Sequence, residues 1–305
     1  MKRLPIMMIS GICLLAAGCG APASGALGPA PTATAQTASP AVSPGTGTAS
    51  AAPSPSGQQP TATPAQGPAR EIGLQAWFSR NGKLFVTTRT VPATTGIGQA
   101  ALDRMLAGPS AAEYAAGLRS QIPTGTTVRG VRISAGIGTV DLSSSFASAA
   151  SNSAMPLRIA QVVYTLTQFP TVTGVRFAID GQGVTVVGGV PVQSPQTRAM
   201  YSGYLPAITV RSPVIGARVT SPVTVSGTAD VFEATVSVRI LDSAGHEIAR
   251  TFTTASCGTG CRGDYSVTVS YSVPRTQPGT IEVFESSAKD GQPINVQLIP
   301  VTLAP

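Results

Sequence analysis

Residues 71–91 are EIGLQAWFSRNGKLFVTTRTV. Two β-rich runs, Glu71 to Arg80 and Lys83 to Val91, flank Asn81-Gly82. That dipeptide is the signal of a type I′ hairpin, because both central residues of such a turn need positive φ. The chain therefore becomes ordered near Arg70 with an antiparallel pair of strands.

Past the hairpin the period changes from two to 3.6. Ile97, Ala101, Leu102, Met105 and Leu106 mark one face of a helix that Gly108-Pro109 ends. Ser110 with Glu113 three residues on forms a capping box for a short second helix carrying Tyr114 and Leu118. Val128 to Ile133 and Ile137 to Leu142 read as strands joined at Ala135-Gly136. A third helix is expected from about Pro156 to Phe169, with Met155, Ile159, Val162, Val163 and Leu166 at helical spacing. Pro156 suits its first turn and Pro170 stops it. Val175, Phe177 and Ile179 alternate in a further strand that turns at Asp180-Gly181. The order β-β-α-α-β-β-α-β describes an α+β domain over residues 70–195.

From Leu205 onward the helical period disappears. Ile208 and Val210, Val223 and Val225, then Val236, Val238 and Ile240 alternate with polar residues. The same holds for Tyr265 to Tyr271, for Ile281 and Val283, and for Ile294, Val296 and Leu298. Seven or so short strands with turn residues between them satisfy an all-β, immunoglobulin-like sandwich over residues 205–305. Pro191 to Pro206 reads either as a linker or as a docked strap.

Upstream of the hairpin the composition is different. From Gly20 to Ala69 there is no charged and no aromatic residue, only Pro, Ala, Ser, Thr, Gly, Gln and a few aliphatics. Such a segment cannot offset its conformational entropy and is expected to be a disordered stalk, with an end-to-end distance of ~40 Å for a flexible coil of this length. Further upstream, Lys2 and Arg3 precede an apolar run from Leu4 to Ala17, too short to span a hydrocarbon core. A positive start, a short apolar run and the small residues Ala16, Ala17 and Gly18 describe a secretory signal over residues 1–18. The next residue is Cys19. The stretch Leu15-Ala-Ala-Gly-Cys19 resembles the lipobox of bacterial lipoproteins, with Ala16 where that family more often has Leu. The resemblance implies an acyl anchor on Cys19 and a lipid-anchored chain on the extracytoplasmic face of the cell membrane. An ordinary cleaved signal with an incidental cysteine is the other reading.

The formal charge is +7, or +5 once Lys2 and Arg3 are removed, and the arginines are scattered. No basic stripe with interleaved aromatics is present, which speaks against nucleic acid as a partner. Cys257 and Cys261 bracket Gly-Thr-Gly and form an even pair in an oxidising compartment, favouring a disulfide. A metal site and two free thiols are the alternatives; a closed zinc site needs four ligands, and no partner Cys or His lies nearby. His246, the only histidine, sits in a turn, and no Gly-x-Ser-x-Gly elbow accompanies it. Asp180-Gly-Gln-Gly-Val184 is rich in glycine but precedes a β-rich run, where a phosphate loop needs a helix. Asp141, Glu233 and Glu285 are the carboxylates placed beside apolar residues, open to a structural or a binding role.

Two further resemblances rest on short motifs in order. Positions about 96–188 resemble the GerMN domain of sporulation and germination proteins through Gly108-Pro109, Ile122-Pro-Thr-Gly125, Val140-Asp-Leu142, Phe146, Val163-Tyr-Thr-Leu166, Phe169-Pro170 and Ile179-Asp-Gly181. Positions about 206–303 resemble the Gmad2 immunoglobulin-like germination domain through Ser212-Pro213, Ser221-Pro222, Val225-Ser-Gly227, Val231-Phe-Glu233, Tyr265, Val283-Phe-Glu-Ser286 and Asp290-Gly291. These resemblances imply a non-enzymatic envelope lipoprotein without cofactor, metal or catalytic residues, acting as a scaffold or protein-interaction module. The implied partners are the membrane, envelope proteins or cell-wall polymer, and a second copy through the first domain. A binding module for peptidoglycan, glycan or a small envelope ligand is the alternative function.

Overall fold

A computed structural model describes residues 70–148 and 154–305. The signal segment 1–18, the stalk 19–69 and Cys19 lie outside the described residues. Strands β1 (Glu71–Arg80) and β2 (Lys83–Pro92) pair antiparallel in register Arg80↔Lys83. Asn81 and Gly82 have φ of 52° and 71°, as the I′ turn requires. Toward the tip the alternation of burial stops: Ala76 to Ser79 and Leu84 to Thr87 are buried at every position. Successive strand residues point to opposite faces, so both faces of the hairpin are covered there. One face meets helix α1 (Ile97–Leu106), where Leu74 and Val91 pack with Ala101.

An isolated hairpin leaves an open strand edge, which needs a cover. Helix α3 (Ala154–Leu166) and the turn after it supply one along β1. Gln168 accepts from the Gln75 N–H at 2.7 Å and donates to the Gln75 carbonyl at 2.9 Å, while Gln161 donates to the Trp77 carbonyl at 2.8 Å. The backbone of Arg119 closes the edge at Ser79 with two further bonds. The helix ends at Leu166, short of the expected Phe169: Thr167 and Phe169 still bond back to Val163 and Leu166, but Pro170 disfavours helical φ/ψ at the residue before it.

Strands β3 (Val128–Ser134), β4 (Ile137–Leu142), β5 (Gly174–Ile179) and β6 (Gln182–Gly183) form a four-stranded sheet in that order. β4 and β5 are parallel, and α3 is the crossover between them. The turns at Ala135-Gly136 and Asp180-Gly181 again have positive φ at both residues. A small hairpin, β7 (Val186–Val187) and β8 (Val190–Pro191), follows.

The second domain is a sandwich. One sheet has three strands, β14 (Gly263–Val269), β11 (Val223–Ala229) and β9 (Ile208–Ser212). The other runs β10 (Arg218–Val219), β16 (Pro293–Leu303), β15 (Gln277–Ser286), β12 (Thr235–Leu241), β13 (Glu247–Thr254). Val225, Val236, Val238, Ile240, Ile281, Val283 and Leu303 fill the space between the sheets at full burial. Two features depart from the sequence pattern. β13 is an edge strand with no fully buried residue, so it lacks the apolar row that marked the others. In β16 the apolar parity shifts by one at Leu298-Ile299. Ile299 and Val301 face the core, whereas Val296 and Leu298 lie on the outer side at 37% and 46% exposure.

The segment between the domains is a docked strap. Gln196 pairs with the Val175 backbone, and a 3₁₀ turn over Arg198–Tyr204 packs on α3. Arg198 donates to Thr167 Oγ1 at 2.8 Å and to the Tyr164 carbonyl at 3.0 Å, and its guanidinium lies against the Trp77 and Tyr164 rings. Beyond the strap, β2 packs beside β9, and at the hairpin tip Arg80 donates to the Leu298 carbonyl (3.1 Å) and to Gln297 Oε1 (2.8 Å). Both domains thus belong to one compact unit.

Helix α2 (Ala111–Ala115) is too short to stand by propensity and is held by its third residue. Glu113 is 1% exposed; it accepts from Thr87 Oγ1 at 2.6 Å, from the Arg89 guanidinium at 2.8 Å and from the Ser110 N–H at 2.7 Å, completing the capping box. Burial alone raises its pKa; the bonds from Arg89, Thr87 and Ser110 outweigh that and hold it at about 2. A depressed carboxylate contributes stability that is complete above its ordinary value near 4.5 and is lost as pH falls toward 2. Glu113→Gln should cost about 3 kcal/mol at neutral pH, since it leaves Arg89 without its partner. Denaturant titrations between pH 7 and pH 2 should also show a flatter acid slope in the variant than in the parent.

Candidate interaction site

Pinning α2 places Ala112, Ala115 and Ala116 opposite the outer side of β16. Between them runs an apolar groove along the seam of the two domains. One cavity of about 410 Å³ is walled by Ala115, Ala116 and Gly117 on one side and Val296, Leu298 and Pro300 on the other, with Arg80 at its end. It is continued by one of about 340 Å³ that reaches Ile215. Tyr114 stands exposed on α2, with the Arg119 guanidinium 3.7 Å from its ring centre. The groove is apolar, with small residues on one wall and an aromatic beside it.

The four-stranded sheet offers a second surface. Its register aligns Arg132, Thr139 and Arg176 in one row across β3, β4 and β5, and Gly130, Asp141 and Ala178 in the next. The small residues leave a depression of about 350 Å³ beside the arginines. Asp141, singled out by sequence, lies in this depression and accepts the Gly181 N–H at 2.9 Å, bracing the Asp180-Gly181 turn. Arg129 pairs with Asp180 at 2.9 Å. Cations beside one carboxylate suit a ligand carrying acidic and polar groups.

Glu233, Glu285 and the two cysteines gather at one end of the sandwich, and the structure separates their roles. Glu285 is 9% exposed and accepts from the Phe232 N–H (3.0 Å) and from Asn295 Nδ2 (2.7 Å). Glu233 is exposed, with φ of 53°, and its N–H donates to Thr259 Oγ1. Cys257 and Cys261 form a disulfide with Cα atoms 5.5 Å apart. Their loop packs on the turn that holds Glu233: a Cβ on Gly258 would lie 2.5 Å from the Ala234 nitrogen, so only glycine fits. Phe232 and Glu233 are thereby presented outward on a clamped turn. His246 is exposed, 3.6 Å from Asp242, whose carboxylate is lowered by bonds from the His246 and Ala244 N–H groups. Among the described residues, no group of three or more His, Cys, Asp or Glu could hold a metal, and no helix is long and apolar enough to cross a membrane.

Sequence reasoning did not find the groove, the Glu113–Arg89 pair or Phe252 of β13. Glu113 carried a capping signal only, and its partners lie 24 and 26 residues away. Phe252 is 71% exposed, the most exposed of the large apolar side chains among the described residues. It belongs to a strand with no apolar row to reveal it.

Residues 77–185 match the family model Germane, described as sporulation and spore germination. Residues 207–292 match Gmad2, the immunoglobulin-like domain of bacterial spore germination. The chain is similar to the first GerMN domain of the sporulation protein GerM from Bacillus subtilis, at 25% identity and a TM-score of 0.37, covering 42% of this chain and 98% of that one. It is also similar to the tandem GerMN domains of the same protein, at 16% identity and a TM-score of 0.38, covering 77% of this chain and 61% of the tandem. No match was found among curated proteins. The chain carries a GerMN-like domain of the sporulation and spore-germination type, followed by a Gmad2 immunoglobulin-like domain.

Proposed function

We propose that the protein is a non-enzymatic, lipid-anchored envelope lipoprotein that acts as a scaffold or protein-interaction module in sporulation or germination. Its anchor is an acyl group on Cys19, which holds it at the extracytoplasmic face of the cell membrane, and its partners are envelope proteins. The observation that carries this reading is the joining of two sporulation-type domains into one compact unit. Such a unit presents contact surfaces at fixed spacing. A single acyl chain binds a membrane only marginally, so firm anchoring requires more than one on that cysteine. In vivo crosslinking of the parent and of Cys19→Ala tests both halves. The expected result is protein crosslinks on the parent, with acyl labelling, membrane retention and those crosslinks lost in a still-folded variant. A parent without protein crosslinks contradicts the scaffold, and a variant that fractionates fully with membranes contradicts the anchor.

The arginine row favours a second reading, a module that binds peptidoglycan, glycan or a small envelope ligand on the sheet of the first domain. Purified wall fragments should then raise the melting temperature of the parent and not that of Arg132→Ala/Arg176→Ala. No shift across a panel of fragments removes this reading.

A further inference from the structure

The four-stranded sheet of the first domain has one side in the core and one side open. Val140, Leu142, Val175 and Phe177 turn inward and are buried. The residues between them face outward, in rows that the register fixes. Arg132, Thr139 and Arg176 form one row, and all three are exposed. Gly130, Asp141, Ala178 and Gly183 form the next. Arg132 and Arg176 stand two strands apart, about 10 Å at ~4.8 Å per strand. Neither has an ion pair or a side-chain hydrogen bond among the described residues. The remaining arginine of this face, Arg129, is taken up by Asp180 at 2.9 Å. Asp141 accepts the Gly181 N–H with Oδ1, and its other oxygen has no partner among the described residues.

Room for a ligand comes from the small residues. The depression of about 350 Å³ is lined by Arg132, Thr139 and Asp141 and by the small residues Gly130 and Ala178. A Cβ on Gly130 would meet nothing within 4 Å. The surrounding residues 70–195 hold ten basic and five acidic side chains, a net +5. These charges discriminate between ligands. A guanidinium gains most from a carboxylate or a phosphate, so two unpaired ones suit a ligand with more than one anionic group. Asp141 lies one row away, and a uniformly anionic polymer would bring like charge against it. A neutral glycan leaves both cations unmatched. Carboxylates with a free ammonium close by match all three side chains.

We propose that this sheet binds the peptide part of the cell-wall polymer rather than its glycan, with carboxylates on Arg132 and Arg176 and an ammonium on Asp141. The inference rests on the reading of this sheet as a wall-ligand module and names the part of the ligand it takes. The test is titration calorimetry of the full chain with the wall tripeptide Ala-γ-Glu-diaminopimelate, which carries several carboxylates and free ammonium groups. Binding is expected, and it should weaken as salt is raised. Arg132→Ala and Arg176→Ala, both at exposed positions, should each reduce affinity roughly 10-fold. Gly130→Leu, which fills the depression, should abolish binding. Asp141→Asn keeps the acceptor for Gly181 and removes only the charge. It should weaken the tripeptide by roughly 5-fold or more and leave the affinity of the N-acetylated tripeptide unchanged. Peptide-free glycan strands that bind where the tripeptide does not overturn this inference and leave the wall-ligand reading standing. So does a glycerol phosphate oligomer that binds better than the tripeptide. Tripeptide binding indifferent to both arginine substitutions, or an Asp141→Asn effect equal on the free and acetylated forms, also overturns it. No binding of tripeptide, glycan or oligomer removes the inference and the reading together.

Discussion

The structure depends on burying one hairpin on both faces. Ala76 to Ser79 and Leu84 to Thr87 leave no solvent side: Glu113 of α2 meets Thr87 on one face, and Tyr164 of α3 lies 4.8 Å from Trp77 on the other. The first domain covers one face with α1 and seals the β1 edge with two glutamines of the α3 region. The sandwich and the strap supply neighbours for the rest, and the tip ends with Arg80 bonded to β16. The packing of β2 beside β9 and the bonds from Arg80 to β16 are lost if the domains separate. Joining them is therefore a property of the hairpin rather than of a linker.

The same constraint creates the groove. Because the hairpin brings α2 against β16, and Glu113 fixes α2 to the hairpin, the groove between the domains has a rigid wall. The arginine row sits on the opposite kind of surface, an open sheet whose Gly and Ala positions leave room for a ligand. Both surfaces lie on one compact unit. The disulfide contributes locally, holding the turn of Phe232 and Glu233 in a conformation that L residues rarely adopt unaided.

Much of this was legible in the residues. Three hairpins follow from Asn81-Gly82, Ala135-Gly136 and Asp180-Gly181, each with glycine second and positive φ at both residues. The capping box at Ser110 and Glu113 and the alternation of the sandwich strands were readable in the same local way. Features set by distant partners were not. Nothing near Glu113 in sequence announces Arg89, and nothing in Glu247 to Thr254 announces an edge strand with an exposed phenylalanine. In β16 the alternation was visible, but its shift in parity at Leu298-Ile299 hid which residues face outward. Cys19, the best-marked residue of the sequence, lies outside the described residues.

The two domains fold as one unit because β2 and the hairpin tip pack on the sandwich. Differential scanning calorimetry of the full chain tests it most directly. One cooperative transition, with equal calorimetric and van't Hoff enthalpies, is the predicted result. Two separate transitions in the parent chain, each unmoved by Arg80→Ala, would contradict it.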